Sequence, residues 1–395
     1  MGALTGLKIL DFSTLLPGPL ATMFMADLGA EVVSVTGPGK PDLMNNYPPY
    51  VGDTGLSASA AWLGRNKKTI ELNLRKAESI DIVKKMVKEY DIVVEQFRPG
   101  VMKRFGLDYE TLKKENPALI YCSISGFGQD GPLVNRPAHD INYLALSGNM
   151  LMMDGKTPQH VSIPNFHLAD IAGGGYMSTI AILAAVHYRE QTGIGQYIDM
   201  SLMDGIVPFA CIEGSGVLAA RKYPEGWKNR TISGIMNGPH YDVYETADHK
   251  YMSIGALEPK FYVTLCNSLG FPEYADGKLL QDDPEAFRQA VTARFKEKTR
   301  AEWEEIFAEA DACAEPVYDI EEMLDSKQIK ARNLAPEVPL STDPTQTVQQ
   351  LATPIKLSES PVEYRHTGYP VGYHTQEVLS KFGISEEEIT YVSTK

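Results

Sequence analysis

The first half of the chain alternates between short apolar runs and longer stretches with apolar residues at helical spacing. The apolar runs predict buried strands, and they are LKILDFS, AEVVSV, KTIELNL, DIVVEQF and ALIYCSIS. The stretches between them predict helices, and they include LATMFMADLG, ESIDIVKKMVKEY and YETLKKENP. Regular alternation of strand and helix is typical of a parallel, doubly wound sheet, so we expect an α/β fold.

The second half changes character. A glycine-rich turn, Gly173 to Gly175, precedes an apolar helix, and a further strand and helix follow it. Residues 217–237 are mixed in composition and punctuated by glycine, which predicts a linker. The sequence YDVYETADHKYMSIG then predicts a hairpin, and helical patterns follow to about residue 330. These features indicate a second, smaller domain that begins near residue 238.

Composition narrows the possible partners. The chain has 395 residues and a formal net charge of -14, which argues against nucleic acid or an anionic membrane surface as the main partner. None of the four cysteines pairs in a CxxC spacing, so we expect free thiols, a cytoplasmic location and no metal site. The first strand-to-helix turn, STLLPGPLATM, lacks the GxGxxG pattern, so a nicotinamide or flavin cofactor is not expected.

Three acidic or basic positions are candidates for proton transfer. His139 and Asp140 are adjacent, and each has a plain alternative role, in the core for the histidine and in a turn for the aspartate. Asp170 precedes Gly173, Gly174 and Gly175 at a predicted helix start. It is either a helix cap or a reactive carboxyl group beside open N–H groups that stabilise an oxyanion.

Further charged residues complete the candidate set. Glu258 follows an apolar strand and precedes a proline, so it either begins a helix or orients a histidine. Several cations in the first half stand out in an acidic chain: Arg65, Lys67, Lys68, Arg75, Arg98, Lys103 and Arg104. Arg98 follows a predicted strand directly, where ligands of open α/β sheets bind, and an arginine there suits a phosphate or an adenine ring.

Taken together, the ordered motifs resemble the class III CoA-transferase superfamily, also called the CaiB/BaiF family. They span about nine-tenths of the chain and include RNKKTIELNL, VVEQFRPGVMKRFGLDYETL, YCSISGFGQDGP, ADIAGGGYM and DACAEPVYDIEEM. AHDINYLALSG and GALEPKFY are similar to the α-methylacyl-CoA racemase branch of that family.

The resemblance implies a fold and an assembly. The large Rossmann-like domain is expected to comprise residues 1–216 and 332–395, and the small α+β domain residues 238–331. The subunits are expected to be ring-like and to form an interlocked homodimer.

The resemblance also implies roles for residues. His139 and Asp170 are the expected acid/base pair, Glu258 the partner of the histidine, and Asp140 a nearby group. Coenzyme A is expected as part of the substrate rather than as a separate cofactor. The residues expected to bind it are Leu16, Arg65, Lys67, Arg75, Arg98, Lys103, Arg104 and Tyr143.

Three functions remain open. The first is a racemase or epimerase of 2-methyl-branched acyl-CoA thioesters, which removes and returns the α-proton through an enolate. The second is a CoA-transferase in which Asp170 is a nucleophile that forms an acyl anhydride and then an aspartyl-CoA thioester. The third is a noncatalytic acyl-CoA-binding subunit, which the presence of Asp170 disfavours.

Overall fold

The computed structural model describes residues 1–39, 42–153, 161–227 and 238–395. The chain divides into two compact units. The first comprises Met1–Met150, Ile163–Ala210 and Ala331–Lys395, and the second comprises the described parts of Leu151–Ser162 and Cys211–Lys330. The first unit therefore contains both ends of the chain.

Eleven strands are present among the described residues. In chain order they are β1 Lys8–Phe12, β2 Glu31–Thr36, β3 Lys68–Glu71, β4 Ile92–Glu95, β5 Ile120–Ser125, β6 Tyr197–Ser201, β7 Tyr241–Glu245, β8 Tyr251–Gly255, β9 Ala314–Pro316, β10 Glu337–Pro339 and β11 Thr347–Gln349.

The α-helices of the described residues alternate with the first strands and then dominate the second unit. They are α1 Pro17–Asp27, α2 Ala58–Leu63, α3 Ala77–Val87, α4 Val101–Phe105, α5 Tyr109–Leu112, α6 Asp140–Leu146, α7 Asn149–Met152, α8 Met177–Thr192, α9 Leu202–Ile206, α10 Cys211–Lys222, α11 Pro259–Ser268, α12 Lys278–Asp282, α13 Pro284–Phe295, α14 Arg300–Phe307, α15 Ile320–Asp325, α16 Lys327–Arg332, α17 Thr375–Ser380 and α18 Glu386–Val392. A π-helical turn, Ala169–Tyr176, leads directly into α8.

Strands β1 to β6 form one sheet in the order β3-β2-β1-β4-β5-β6, and every neighbouring pair is parallel. The predicted parallel α/β sheet is confirmed. All six residues of β5 are buried, as expected for a strand covered by helices on both faces. This cover explains why the strands have unbroken apolar runs rather than an alternating pattern.

The chain end completes the core of the first unit. Val378 and Leu379 of α17 and Val392 of α18 belong to the same buried cluster as Val83 and Met86 of α3. Burial of these side chains stabilises the unit because apolar surface leaves water. The C-terminal helices are therefore part of this core rather than an appendage.

The second unit has its own core. Strands β7, β8 and β9 pair antiparallel in one sheet, and helices α11, α13 and α14 supply buried residues to its apolar cluster. The predicted hairpin is β7–β8. The predicted linker differs from the structure in part, because residues 217–222 continue helix α10, and residues 228–237 lie outside the described residues.

Two helical stretches among the described residues are long and apolar enough to cross a membrane by length and composition alone, namely Ala169–Thr192 and Leu202–Lys222. In the first, 56% of the most apolar window is buried inside the protein, whereas the figure for the second is 17%. Core helices pass the same test, so this signal is weak. The expectation that the protein has no membrane partner stays a prediction.

Candidate active site

His139 and Asp140 lie at the start of α6. His139 has an extended backbone, and its N–H donates to Oδ1 of Asn142 at 3.0 Å, which fixes the entry of the chain into the helix. Asp140 is the first helical residue and is buried, whereas His139 is exposed to solvent. The adjacent residues therefore have different surroundings, and the imidazole is the accessible one.

Asp140 brings α6 and the π-helical turn together. Its Oδ1 accepts a hydrogen bond from the Asp170 N–H at 2.9 Å. Asp170 lies in the first turn of the helix, so it is not the cap residue itself. Asp140 instead satisfies one of the free N–H groups that every helix start leaves. This contact joins residues thirty positions apart in the sequence and explains why Asp140 lies beside Asp170.

The carboxyl group of Asp170 is electrostatically unusual. Burial is the main cause that raises its pKa, and the nearby Asp140 carboxylate raises it further, to about 6. The imidazoles of His167 and His139 act in the opposite direction. The Asp170 carboxyl accepts no hydrogen bond from the residues that the structure describes. It is therefore a partly protonated acid near neutral pH, with both oxygens available.

His167 was not among the predicted site residues. One ligand atom each of Asp140, His167 and Asp170 lies within 4.8 Å of the others, and His167 is exposed. A histidine three residues before an aspartate at a helix start places both side chains on one face, and this spacing is the signal in the sequence that could have revealed it. One imidazole and two carboxylates could hold a divalent cation. However, Oδ1 of Asp140 is already used by the Asp170 N–H.

Tyr143 supports this cluster from α6. Its hydroxyl donates to the Ala138 carbonyl at 3.1 Å, and its ring lies so close to Gly126 that a side chain at Gly126 would collide with it. Burial and the carboxylates of Asp170 and Asp140 raise the pKa of Tyr143 to about 12. Tyr143 is thus a neutral packing residue beside the acids. The side chain is buried, and the prediction that it binds coenzyme A stays a prediction.

The predicted oxyanion role of the glycine triplet stays a prediction. Gly173, Gly174 and Gly175 are buried inside the π-helical turn, at whose end the Met177 N–H bonds to the Ala172 carbonyl five residues earlier. A Cβ on Gly174 would lie 2.5 Å from side-chain atoms of Leu202 and Pro17, and one on Gly173 would lie 2.5 Å from the Leu202 carbonyl oxygen. The glycines therefore allow close helix packing.

Arg65, another predicted contact of coenzyme A, is enclosed by internal partners. The guanidinium is fully buried, pairs with the Asp27 carboxylate at 2.6 Å and donates to the Leu351 carbonyl at 3.0 Å. It also lies over the Tyr364 ring. Because these internal partners surround the guanidinium, Arg65 stabilises the fold, and its contact with coenzyme A stays a prediction.

Lys67 is buried as well, but it borders a cavity. Its ammonium bonds to Thr22 at 2.7 Å and to the Pro19 carbonyl at 2.8 Å, and burial lowers its pKa. It lines a cavity of about 110 Å³ near the carboxyl ends of β1 and β2. Leu16 is the residue before α1 and packs beside Leu20. Leu16 is apolar, and the Lys67 ammonium is not exposed to solvent.

The other predicted cations are exposed. Arg75, Arg98, Lys103 and Arg104 all have solvent-accessible side chains. Arg98 and Lys103 line a cavity of about 430 Å³ that also contains Glu95, at the end of β4, and Gln129. The end of a parallel strand is where ligands of such sheets bind. These four residues stay the predicted contacts for a phosphate-bearing ligand.

Glu258 belongs to the second unit. It is the cap residue of α11, three positions after the end of β8, and its charge helps to raise the pKa of the Cys313 thiol, for which burial is the larger cause. The pairing of Glu258 with His139 stays a prediction.

The sequence profile described as CoA-transferase family III matches residues 4–375 of this chain. The chain belongs to CoA-transferase family III. It is 35% identical over 390 residues to the alpha-methylacyl-CoA racemase of Homo sapiens, an alignment that covers 98% of this chain and 95% of that one. It is 33% identical over 344 residues to the acetyl-CoA:oxalate CoA-transferase of Acetobacter aceti, which covers 84% and 85% of the two chains.

The fold agrees with that membership. A crystal structure of a CAIB/BAIF family protein from Brucella suis superposes with a TM-score of 0.82 at 27% identity, and covers 96% of this chain and 99% of that one. The protein is thus an enzyme of CoA-transferase family III, a family that has racemase and transferase members among its relatives.

Proposed function

We propose that the protein is a racemase or epimerase of 2-methyl-branched acyl-CoA thioesters. The observation that carries this proposal is the state of Asp170. Its pKa is raised to about 6, and the imidazole of His139, in the same unit, acts electrostatically on it. A partly protonated acid and a basic imidazole that share one site are the groups that racemisation requires.

The chemistry follows from the thioester. Its carbonyl acidifies the α-hydrogen because the enolate places the charge on oxygen. In one direction, the neutral His139 removes the proton from one face of the α-carbon, and the protonated Asp170 gives a proton to the other face. In the reverse direction, the Asp170 carboxylate is the base and the His139 imidazolium is the acid. Neither redox chemistry nor a separate cofactor is needed for these steps.

Coenzyme A acts as the handle of the substrate. Binding energy from the nucleotide end can hold the α-carbon between two catalytic groups, which lowers the entropic cost of the reaction. The exposed Arg75, Arg98, Lys103 and Arg104 suit the phosphates of that handle.

A second candidate is a CoA-transferase that moves CoA between carboxylic acids. It is favoured by the open carboxyl of Asp170, which accepts no hydrogen bond from the described residues and so could attack a thioester. In this reaction the carboxylate forms an acyl anhydride and releases the CoA thiolate. The thiolate then attacks to give the aspartyl-CoA thioester and the free acid.

Proton NMR separates the two functions. A single stereoisomer of a 2-methylacyl-CoA is incubated with the enzyme in D₂O, without a second carboxylic acid. The proposal predicts loss of the α-proton signal and equilibration of the stereoisomers. No exchange, followed by movement of CoA to added succinate or acetate, would contradict the racemase and support the transferase.

A further inference from the structure

Asp170 and His139 differ in their access to water, and this difference creates a problem for turnover. His139 is exposed and exchanges protons with solvent directly, whereas Asp170 is half-buried. One conversion leaves His139 protonated and Asp170 deprotonated. Before the same stereoisomer can react again, His139 must lose a proton and Asp170 must gain one.

Three titratable groups act on the Asp170 carboxyl, namely Asp140, His139 and His167, and Asp170 in turn acts on the Tyr143 hydroxyl. Asp140 is buried and accepts a hydrogen bond from the Asp170 N–H. The Tyr143 hydroxyl donates its hydrogen bond to the Ala138 carbonyl. His139 is already the opposite acid/base group of the proposed reaction. His167 is therefore the neighbour that is exposed, carries an imidazole able to take up and release a proton, and has no other assigned task.

The His167 imidazole and the Asp170 carboxyl lie close enough to exchange a proton. The His167 ring nitrogen and a carboxylate oxygen of Asp170 are within 4.8 Å of one another. The backbone around them is held, because the Ile171 N–H donates to the His167 carbonyl at 2.9 Å. A small rotation of an exposed side chain, or one bridging water, closes such a distance.

We propose that His167 is the proton relay that reloads Asp170 between turnovers. The idea rests on the racemase function proposed above. After one conversion, the His167 imidazolium gives a proton to the Asp170 carboxylate and takes another from water, while His139 releases its proton to solvent. In the reverse direction, protonated Asp170 passes its proton to neutral His167. Protons balance in both directions, and no co-reactant is needed.

The test compares His167→Ala with His187→Ala. His187 is also exposed and lies within α8, where it bonds to Gln191. With one stereoisomer as substrate, His167→Ala is expected to lower kcat about tenfold or more at pH 7 with an unchanged KM. Millimolar imidazole should restore the rate in His167→Ala, and His187→Ala should match the wild type.

Several results would overturn the relay. They are an unchanged kcat in His167→Ala, a loss that imidazole does not restore, or inactivation of the wild type by a chelator, which would make the cluster a metal site. If the wild type exchanges the α-proton and His167→Ala has the same kcat, the relay is contradicted but the proposed racemase function is not. A wild type without any exchange removes the proposed function, and the relay with it.

A second readout does not depend on turnover. Carbon NMR of ¹³C-labelled aspartate, assigned with Asp170→Asn, follows the Asp170 carboxyl as pH changes. Loss of the positive neighbour should raise the Asp170 pKa in His167→Ala and leave it unchanged in His187→Ala. Identical titrations in the wild type and both variants would contradict the coupling.

Discussion

Asp170 and Glu95 are two carboxyl groups of the first unit whose burial raises their pKa, to about 6 and about 7 respectively. Their surroundings differ. Both oxygens of Glu95 are engaged, one by the Ser123 hydroxyl and the other by the Phe97 N–H at 2.8 Å. The Asp170 carboxyl accepts no hydrogen bond from the described residues and has two imidazoles nearby.

A raised pKa therefore does not identify a reactive group by itself. The same contrast separates two arginines, since Arg65 is enclosed by internal partners whereas Arg98 is exposed at a cavity. Groups whose partners are inside the protein hold the fold. Groups that are accessible and lack such partners are the ones available to a substrate.

The largest effect should come from exchanging the two acids for amides. Asp170→Asn removes the transferable proton, and we expect net conversion to fall about 10⁴-fold. Glu95→Gln keeps the shape of the side chain, and its amide can accept from the Phe97 N–H and donate to the Ser123 hydroxyl, so its rate should stay within about threefold of the wild type. Steady-state kinetics on both purified variants measures this, and equal losses would remove the distinction between them.

The arginines should separate in stability. Arg65→Ala leaves the Asp27 carboxylate buried without its partner, at a cost of about 3–5 kcal/mol in the free energy of unfolding. Arg98→Ala should change it by no more than about 0.5 kcal/mol and instead weaken binding of CoA esters. Urea unfolding and a thermal-shift titration with CoA check both halves. A stable Arg65→Ala variant that has lost CoA binding would show that Arg65 binds CoA and does not stabilise the fold.

Glu95 should make stability depend on pH. Its pKa in the folded protein, about 7, exceeds the ordinary value of 4.5 for a glutamate, so the folded state binds the proton more tightly. Stability is therefore lost as pH rises from about 5 to 7, by up to about 3 kcal/mol. Urea midpoints of the wild type and Glu95→Gln across this range test the sign. If the pH dependence is the same in both proteins, Glu95 is not its source.

The smallest effect concerns the glycine triplet. Gly174→Ala places a methyl group against Leu202 and Pro17 and should cost about 1–3 kcal/mol of stability. Gly37→Ala is the control, because a side chain there meets nothing within 4 Å. Urea unfolding measures the difference. A Gly174→Ala variant with full stability but a lower kcat would support the predicted oxyanion role of the glycine triplet.

Much of the fold was predictable because buried parallel strands have continuous apolar runs, as in β1 and β5. The sequence identified Asp140 and Asp170 as two separate candidate acids. Their adjacency was not, because it depends on one hydrogen bond between α6 and the π-helical turn. The spacing of His167 from Asp170 was the one signal in the sequence that could have revealed His167.

The roles of the glycine triplet and of Arg65 were ambiguous in the sequence for one physical reason. A run of glycines at a helix start fits both a close substrate and a close helix, and only the positions of Leu202 and Pro17 decide between them. Likewise, a charged side chain in a sequence does not reveal its burial, and the partner of Arg65 is Asp27, 38 positions away. Both questions depend on tertiary contacts.

The central claim is that His139 and Asp170 address opposite faces of the α-carbon. Stereospecific exchange in D₂O tests it most directly, with each pure stereoisomer and the variants His139→Ala and Asp170→Asn. We predict that His139→Ala exchanges the α-proton of one stereoisomer, that Asp170→Asn exchanges that of the other, and that neither equilibrates them. Loss of exchange for the same stereoisomer in both variants would contradict the account.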